Sequence, residues 1–189
     1  GSEMCIRDSY VRSIPDFPEP GIIFRDVTSI LQDADGLQLA IDEMQHFVEE
    51  VDCDVICGTE SRGFIFGMPI AYNLHKPFVP IRKKGKLPLE TVEESYDLEY
   101  GSATIEMHKD SIKPGQKVVI IDDLIATGGT VEACAKMIER LGGEVTRIVF
   151  LMELAGLKGR EKLAKYDVKS VIRYDGKSVS YTHLTLPTI

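Results

Sequence analysis

The sequence predicts an α/β fold: a mostly parallel sheet with helices on both faces. Short runs rich in β-branched residues, at 54–58, 78–82, 118–122, 145–151 and 170–174, alternate with stretches of helical period at 37–51, 64–74 and 129–141. The runs read as buried strands, and strand–helix alternation implies mostly parallel pairing. In such sheets ligands bind beyond the carboxyl ends of the strands, and the loops after Gly58, Ile81, Ile121 and Leu151 all carry unusual residues.

With 189 residues, 43% hydrophobic and 28% charged, the chain has the size and composition of one globular domain, expected over 10–177. A formal charge of -8 argues against nucleic acid or an anionic membrane as partner, because both select a basic field. An anionic substrate would have to meet a local basic patch. No apolar run reaches the roughly 18 to 20 residues that cross a bilayer, and no basic-then-apolar leader opens the chain. Cys5, Cys53, Cys57 and Cys134 form no CxxC pair or Cys/His quartet, so reduced thiols in a cytoplasmic protein are expected.

The ends, 1–9 and 178–189, read as non-native or disordered text and are set aside from fold reasoning. From there a separate stretch over about 10–35 precedes the first helix. The first strand runs into GTESRGF at 58–64, a strand-to-helix turn whose N–H groups form a nest with Arg62 beside it as a cation. Bidentate phosphate contact suits that arginine, and a surface ion pair is the alternative. After the second strand, IRKKGKLP at 81–88 gathers Arg82, Lys83, Lys84 and Lys86 in an otherwise acidic protein. Pyrophosphate binding fits that run; a solvated charge cluster or nucleic-acid patch is the other reading. Residues 83–110 lack helical period and look like a mobile, β-rich flap. Gly142 and Gly143 stop the last long helix.

The most informative segment is VVIIDDLIATGGT at 118–130: a buried strand, two carboxylates, and a small-residue turn opening into a helix. The N–H groups of Ala126, Thr127, Gly128, Gly129 and Thr130, with the positive end of the helix, can cradle a phosphate dianion. Asp122 and Asp123 accept hydrogen bonds only, which suits the two hydroxyls of a ribose. Monophosphate plus vicinal diol describes a ribose 5-phosphate. Neither GxxxxGK[ST] nor GxGxxG is present here, which disfavours a triphosphate or dinucleotide. The alternative is a plain strand-to-helix turn.

This motif resembles that of the type I phosphoribosyltransferases, and FPEPGIIFRDVTSIL at 17–31 is similar to the hood of their adenine-specific members. The resemblance spans about 17–174 and implies a five-stranded, mainly parallel sheet with a hood and a β-rich flap. It implies transfer of the 5-phosphoribosyl group of 5-phosphoribosyl 1-pyrophosphate (PRPP) to N9 of adenine, giving AMP and pyrophosphate. Adenine would meet Ile23, Phe24 and Arg25, Phe24 by stacking, and Leu154 would lie beside the base. Pyrophosphate would meet Arg62, Arg82, Lys83 and Lys86. In LEYG of the flap, Glu99 would face N7 of adenine, with Tyr100 following.

Taken alone, Phe24 could be a core residue and Glu99 a solvent-facing strand residue. Mg2+ is implied, held by PRPP oxygens and water rather than by side chains, and so is a homodimer. The four histidines show no catalytic or metal spacing. Xanthine or hypoxanthine transfer remains a rival, since base choice rests on the hood. A PRPP-sensing regulator on the same fold is the other, though it would need a DNA-binding domain.

Overall fold

The computed structural model of the chain describes residues 2–17, 20, 23–98 and 100–175. Its first part is the hood, where β1 (Arg12–Pro15) pairs antiparallel with β2 (Ile23–Asp26) as a two-stranded sheet. The remaining strands are β3 (Val55–Thr59), β4 (Phe78–Lys83), β5 (Thr91–Asp97), β6 (Ser102–His108), β7 (Lys117–Ile125), β8 (Glu144–Leu154) and β9 (Val168–Tyr174). They form one sheet in the order β5-β6-β4-β3-β7-β8-β9.

The five strands expected from the sequence are its parallel part, β4-β3-β7-β8-β9. The sheet is nevertheless seven-stranded, because the flap is a hairpin of β5 and β6 whose second strand joins β4 antiparallel. The flap strands escape a search for apolar runs because much of their length is half-exposed and polar, as in TVEESYD.

Apolar residues of β7 alternate between two cores. Val119 and Ile121 pack in one with Phe66 and Ile70 of α4 (Arg62–Leu74) and with Met44 of α3 (Ala34–Glu49). Val118 and Ile120 pack in the other with Val131, Cys134 and Ile138 of α5 (Gly129–Arg140). The helix expected from 37 begins at Ala34 because Asp33 caps it, its carboxylate accepting the Gly36 N–H at 2.9 Å. Gly142 takes a left-handed φ of +87° just beyond α5, as a helix stop requires.

The N-terminal stretch set aside above is helical: α1 (Ser2–Ser9) packs on α3 and β9 and buries Ile6 completely. Its apolar residues, Met4, Cys5 and Ile6, are consecutive rather than at helical spacing, which gives no periodic signal to announce such a helix. Two short α-helices, α2 (Thr28–Leu31) and α6 (Gly159–Lys162), and a 3-10 turn at Ala155–Leu157 complete the described chain. The tail at 178–189 lies outside the described residues. No helix among them is long and apolar enough to cross a membrane, and Cys53, Cys57 and Cys134 are free thiols.

Candidate active site

The loops after β3, β4, β7 and β8 leave the carboxyl ends of adjacent parallel strands, so they gather at one edge of the sheet. Asp122 and Asp123 lie within the buried run of β7 near its carboxyl end and are 7% and 1% exposed. Asp122 Oδ1 accepts the Asp123 N–H at 2.8 Å, and its carboxylate is hydrogen-bonded to the Thr59 side chain at the end of β3. Burial, and then the charge of Asp123, hold the Asp122 carboxyl well above the usual carboxylate range.

Asp123 has a partner: Arg62 Nε, at the start of α4, donates to its Oδ2. The cation expected at a pyrophosphate thus rests on one of the carboxylates expected at a ribose. Gly63 lets α4 come this close. A Cβ there would lie 2.9 Å from both the Ile121 carbonyl and Thr59 Oγ1.

The turn at 126–130 leads into α5, whose first N–H groups lack intrahelical partners. Gly128 precedes the helix with φ of +85°. A Cβ on it would meet the Gly159 carbonyl at 2.8 Å, so α6 fixes the back of the turn. That short helix is braced in turn by Arg160, whose Nε donates to the buried Glu153 at 2.8 Å and whose Nη1 donates to the Val168 carbonyl at 2.8 Å. Burial opposes the Glu153 charge, but the hydrogen bonds from Arg160 and Ser170 outweigh it and leave the carboxyl below its ordinary value.

The flap lies along α5. Arg140 pairs with Glu94 at 3.0 Å, and Tyr96 hydrogen-bonds Thr130 at the helix start, with a ring carbon 3.5 Å from where a Gly129 Cβ would stand. Burial raises the Tyr96 phenol above its ordinary value despite that bond. The basic run extends from β4 into the following turn. Glu60, in the neighbouring loop, accepts from Arg82 Nε at 3.2 Å and from the Lys83 N–H at 3.0 Å, and so ties the two loops together.

In the hood, Ile23, Phe24 and Arg25 form most of β2, opposite Pro15, Ile14 and Ser13. The Arg25 guanidinium lies 4.2 Å over the ring of Tyr174 at the end of β9, docking the hood on the carboxyl edge of the sheet. Its Nε is buried without a hydrogen-bond partner. Leu154 neighbours Tyr174 across the β8–β9 pair but is 4% exposed, its side chain part of the hydrophobic core.

Several of the expected site residues are therefore brought together: Asp122, Asp123 and Arg62 directly, with the 126–130 turn one loop away. Arg82 and Lys83 join Arg62's loop through Glu60. Tyr100 is exposed at the flap tip, whereas Glu99 and the side chain of Phe24 lie outside the described residues. Thr59, Glu60 and Tyr96 were not singled out from the sequence, although all three lie within or beside motifs that were. Among the described residues no three His, Cys, Asp or Glu side chains cluster as a metal site.

Residues 27–184 match the phosphoribosyl transferase domain family. The adenine phosphoribosyltransferase of Lachnoclostridium phytofermentans is 74% identical over 170 residues, 90% of this chain and 98% of that one. Among solved structures, adenine phosphoribosyltransferase from Thermoanaerobacter pseudethanolicus superposes with a TM-score of 0.84 at 49% identity, covering 89% of this chain and 98% of the other. The enzyme from Saccharomyces cerevisiae, complexed with an imino-altritol bisphosphate and adenine, gives 0.82 at 39% identity, covering 90% and 98%.

Proposed function

The chain belongs to the adenine phosphoribosyltransferase family, and from that premise we propose that it transfers the 5-phosphoribosyl group of PRPP to N9 of adenine, releasing pyrophosphate and AMP. The observation that carries this reading is the junction of β7 and α5. A buried acidic pair near the end of the strand stands just before a small-residue turn at a helix start, which is the complement of a ribose 5-phosphate. The yeast relative's complex with adenine supports the choice of base.

In this reading Ala126 to Thr130 hold the 5-phosphate, and Asp122 and Asp123 accept from the ribose hydroxyls. Arg62 leaves Asp123 for pyrophosphate, joined by Arg82, Lys83 and Lys86. The C1–oxygen bond of PRPP breaks as positive charge develops on the ribose, pyrophosphate leaves with the bonding pair, and N9 bonds to C1 from the opposite face while the base's proton is released to water. Placement and charge stabilisation supply most of the acceleration. Glu99, with Tyr100 beside it, faces N7 and steadies the proton balance of the base. Ile23 to Arg25 read the purine edge, Phe24 stacks on it, and Leu154 backs the pocket from the core.

Mg2+ fits this site as a cation carried by substrate oxygens and water, since the carboxylates present are committed to Arg62, Thr59 and main chain rather than clustered for a metal. Bound there, it would neutralise the departing pyrophosphate. A homodimer is supported by Ile65, Met68 and Tyr72, which expose an apolar stripe at helical spacing on α4. Free thiols are consistent with a cytoplasmic protein. The deciding experiment is an assay with adenine, PRPP and magnesium: AMP and pyrophosphate should appear in equal amounts, and their absence removes the reading.

A further inference from the structure

We propose that Glu106 is a positioning residue for pyrophosphate, its buried carboxylate clamping the main chain of the basic loop. Glu106 sits on β6, the middle strand of the flap junction, opposite Arg82 on β4 and Glu93 on β5. It is 3% exposed. Its Oε1 accepts the N–H groups of both Lys86 and Leu87 at 2.9 Å. A buried carboxylate is tolerated only while its hydrogen bonds are made, so letting the loop swing away would strand a charge. That penalty makes the contact a clamp rather than a passing touch.

The rest of the loop is held from the same strand. Thr104 on β6 accepts the Lys84 N–H at 3.0 Å, and His108, on the same face of β6 as Glu106, lies with Nε2 2.8 Å from the Pro88 carbonyl. Gly85 turns the chain between them at φ of +88°, with open space where a Cβ would be. The division of labour follows from the hydrogen bonds: Glu60 fixes the start of the loop at Arg82 and Lys83, and Glu106 fixes its end at Lys86 and Leu87. Both ends of the cationic run are then set before a ligand arrives, which lowers the ordering cost of binding.

The proposal rests on the reading of Arg82, Lys83 and Lys86 as pyrophosphate ligands. The test compares Glu106→Met and Glu106→Gln with the unaltered full chain in the reverse reaction, AMP plus pyrophosphate. The Met variant should raise KM for pyrophosphate about tenfold or more, the scale of one lost charge-assisted hydrogen bond, with KM for AMP held within about threefold. Gln keeps an acceptor for both N–H groups and should restore most of the difference. An unchanged KM for pyrophosphate, or equal rises for both substrates, overturns the proposal.

Trypsin cleavage after Lys83, Lys84 and Lys86 reads the clamp without any substrate. Faster cleavage in the Met variant alone supports it. Faster cleavage with an unaltered pyrophosphate KM keeps the clamp but removes the loop from the pyrophosphate site, and so overturns its assigned purpose. Should the Met variant fail to fold, amide exchange in the unaltered protein decides: protection at Lys86 and Leu87 supports the clamp, and free-peptide rates there overturn it.

Discussion

Arg62 donates its Nε–H to Asp123, a carboxylate that is otherwise sealed from solvent. In the proposed reading this arginine serves two anions in turn, the side chain before substrate binds and pyrophosphate afterwards. Arg62→Gln should raise KM for PRPP by about tenfold to a hundredfold, the worth of one strong charge-assisted contact. It should also lower the thermal midpoint of the free protein, by roughly 2 to 4 °C per kcal/mol, because Asp123 is left buried and unpaired. Adding Asp123→Asn should recover the midpoint but not the KM. Recovery of both in calorimetry and kinetics would mean that Arg62 serves structure alone.

Asp122 leads to a pH prediction. Its folded pKa is raised by burial and by Asp123, so the folded state binds its proton more tightly than the unfolded chain. The stability it contributes is fully present below the unfolded value of about 3.9 and is lost as pH rises through the folded value. Asp122→Asn, a permanent mimic of the neutral form, should therefore stabilise the free protein at neutral pH and flatten this part of its stability profile. The same change should cut turnover, because a ribose hydroxyl loses its charged acceptor. If ribose requires the ionised form, PRPP binding releases a proton, seen as a dependence of calorimetric enthalpy on buffer ionisation heat. A midpoint lowered at all pH values by Asp122→Asn would refute the assignment.

Gly128 is constrained from behind. Its φ of +85° and the Gly159 carbonyl 2.8 Å from a would-be Cβ leave no room for a side chain, before any phosphate is considered. Gly128→Val would therefore displace α6 as well as crowd a phosphate. Left-handed backbone costs about 1 to 2 kcal/mol for a non-glycine residue, so even Gly128→Ala should lower the thermal midpoint as well as PRPP affinity. Lost affinity with an unchanged midpoint would place the clash at the ligand instead.

Local patterns made much of this protein legible. The five parallel strands announce themselves as apolar runs, and the 118–130 motif states its ligand through residue type and spacing. Contacts between distant segments were not legible. Glu106 meets Leu87 across 19 positions and Arg62 meets Asp123 across 61, and only the sheet order brings them together. Leu154 was expected beside the base from resemblance alone; its place at the end of β8 follows from that strand running three residues beyond the apolar run. A β-rich flap at 83–110 was legible, but not that its hairpin extends the main sheet through β4, because its strands bury only part of their surface and carry no apolar run.

Base choice is the prediction that tests the proposed substrate most directly. Among the described residues β2 pairs only with β1, so alternate N–H and C=O groups of Ile23 to Arg25 point away from the hood sheet, the direction from which the proposed reading brings the base. Adenine brings an amine donor at C6 and an acceptor at N1, which an outward carbonyl and an outward N–H complement. Hypoxanthine reverses both groups. Its O6 would face the carbonyl and its N1–H the N–H, leaving buried polar groups unpaired at about 1 to 3 kcal/mol each. Stacking on Phe24 cannot separate the two bases, because each offers a similar π face. Adenine should therefore be preferred by roughly 10⁴ in kcat/KM, the scale reached when a site hydrogen-bonds a group its competitor lacks. A competition assay with PRPP, magnesium and equal adenine, hypoxanthine and guanine measures this directly. IMP or GMP formed at rates comparable with AMP would show that the hood does not read the purine edge through this strand.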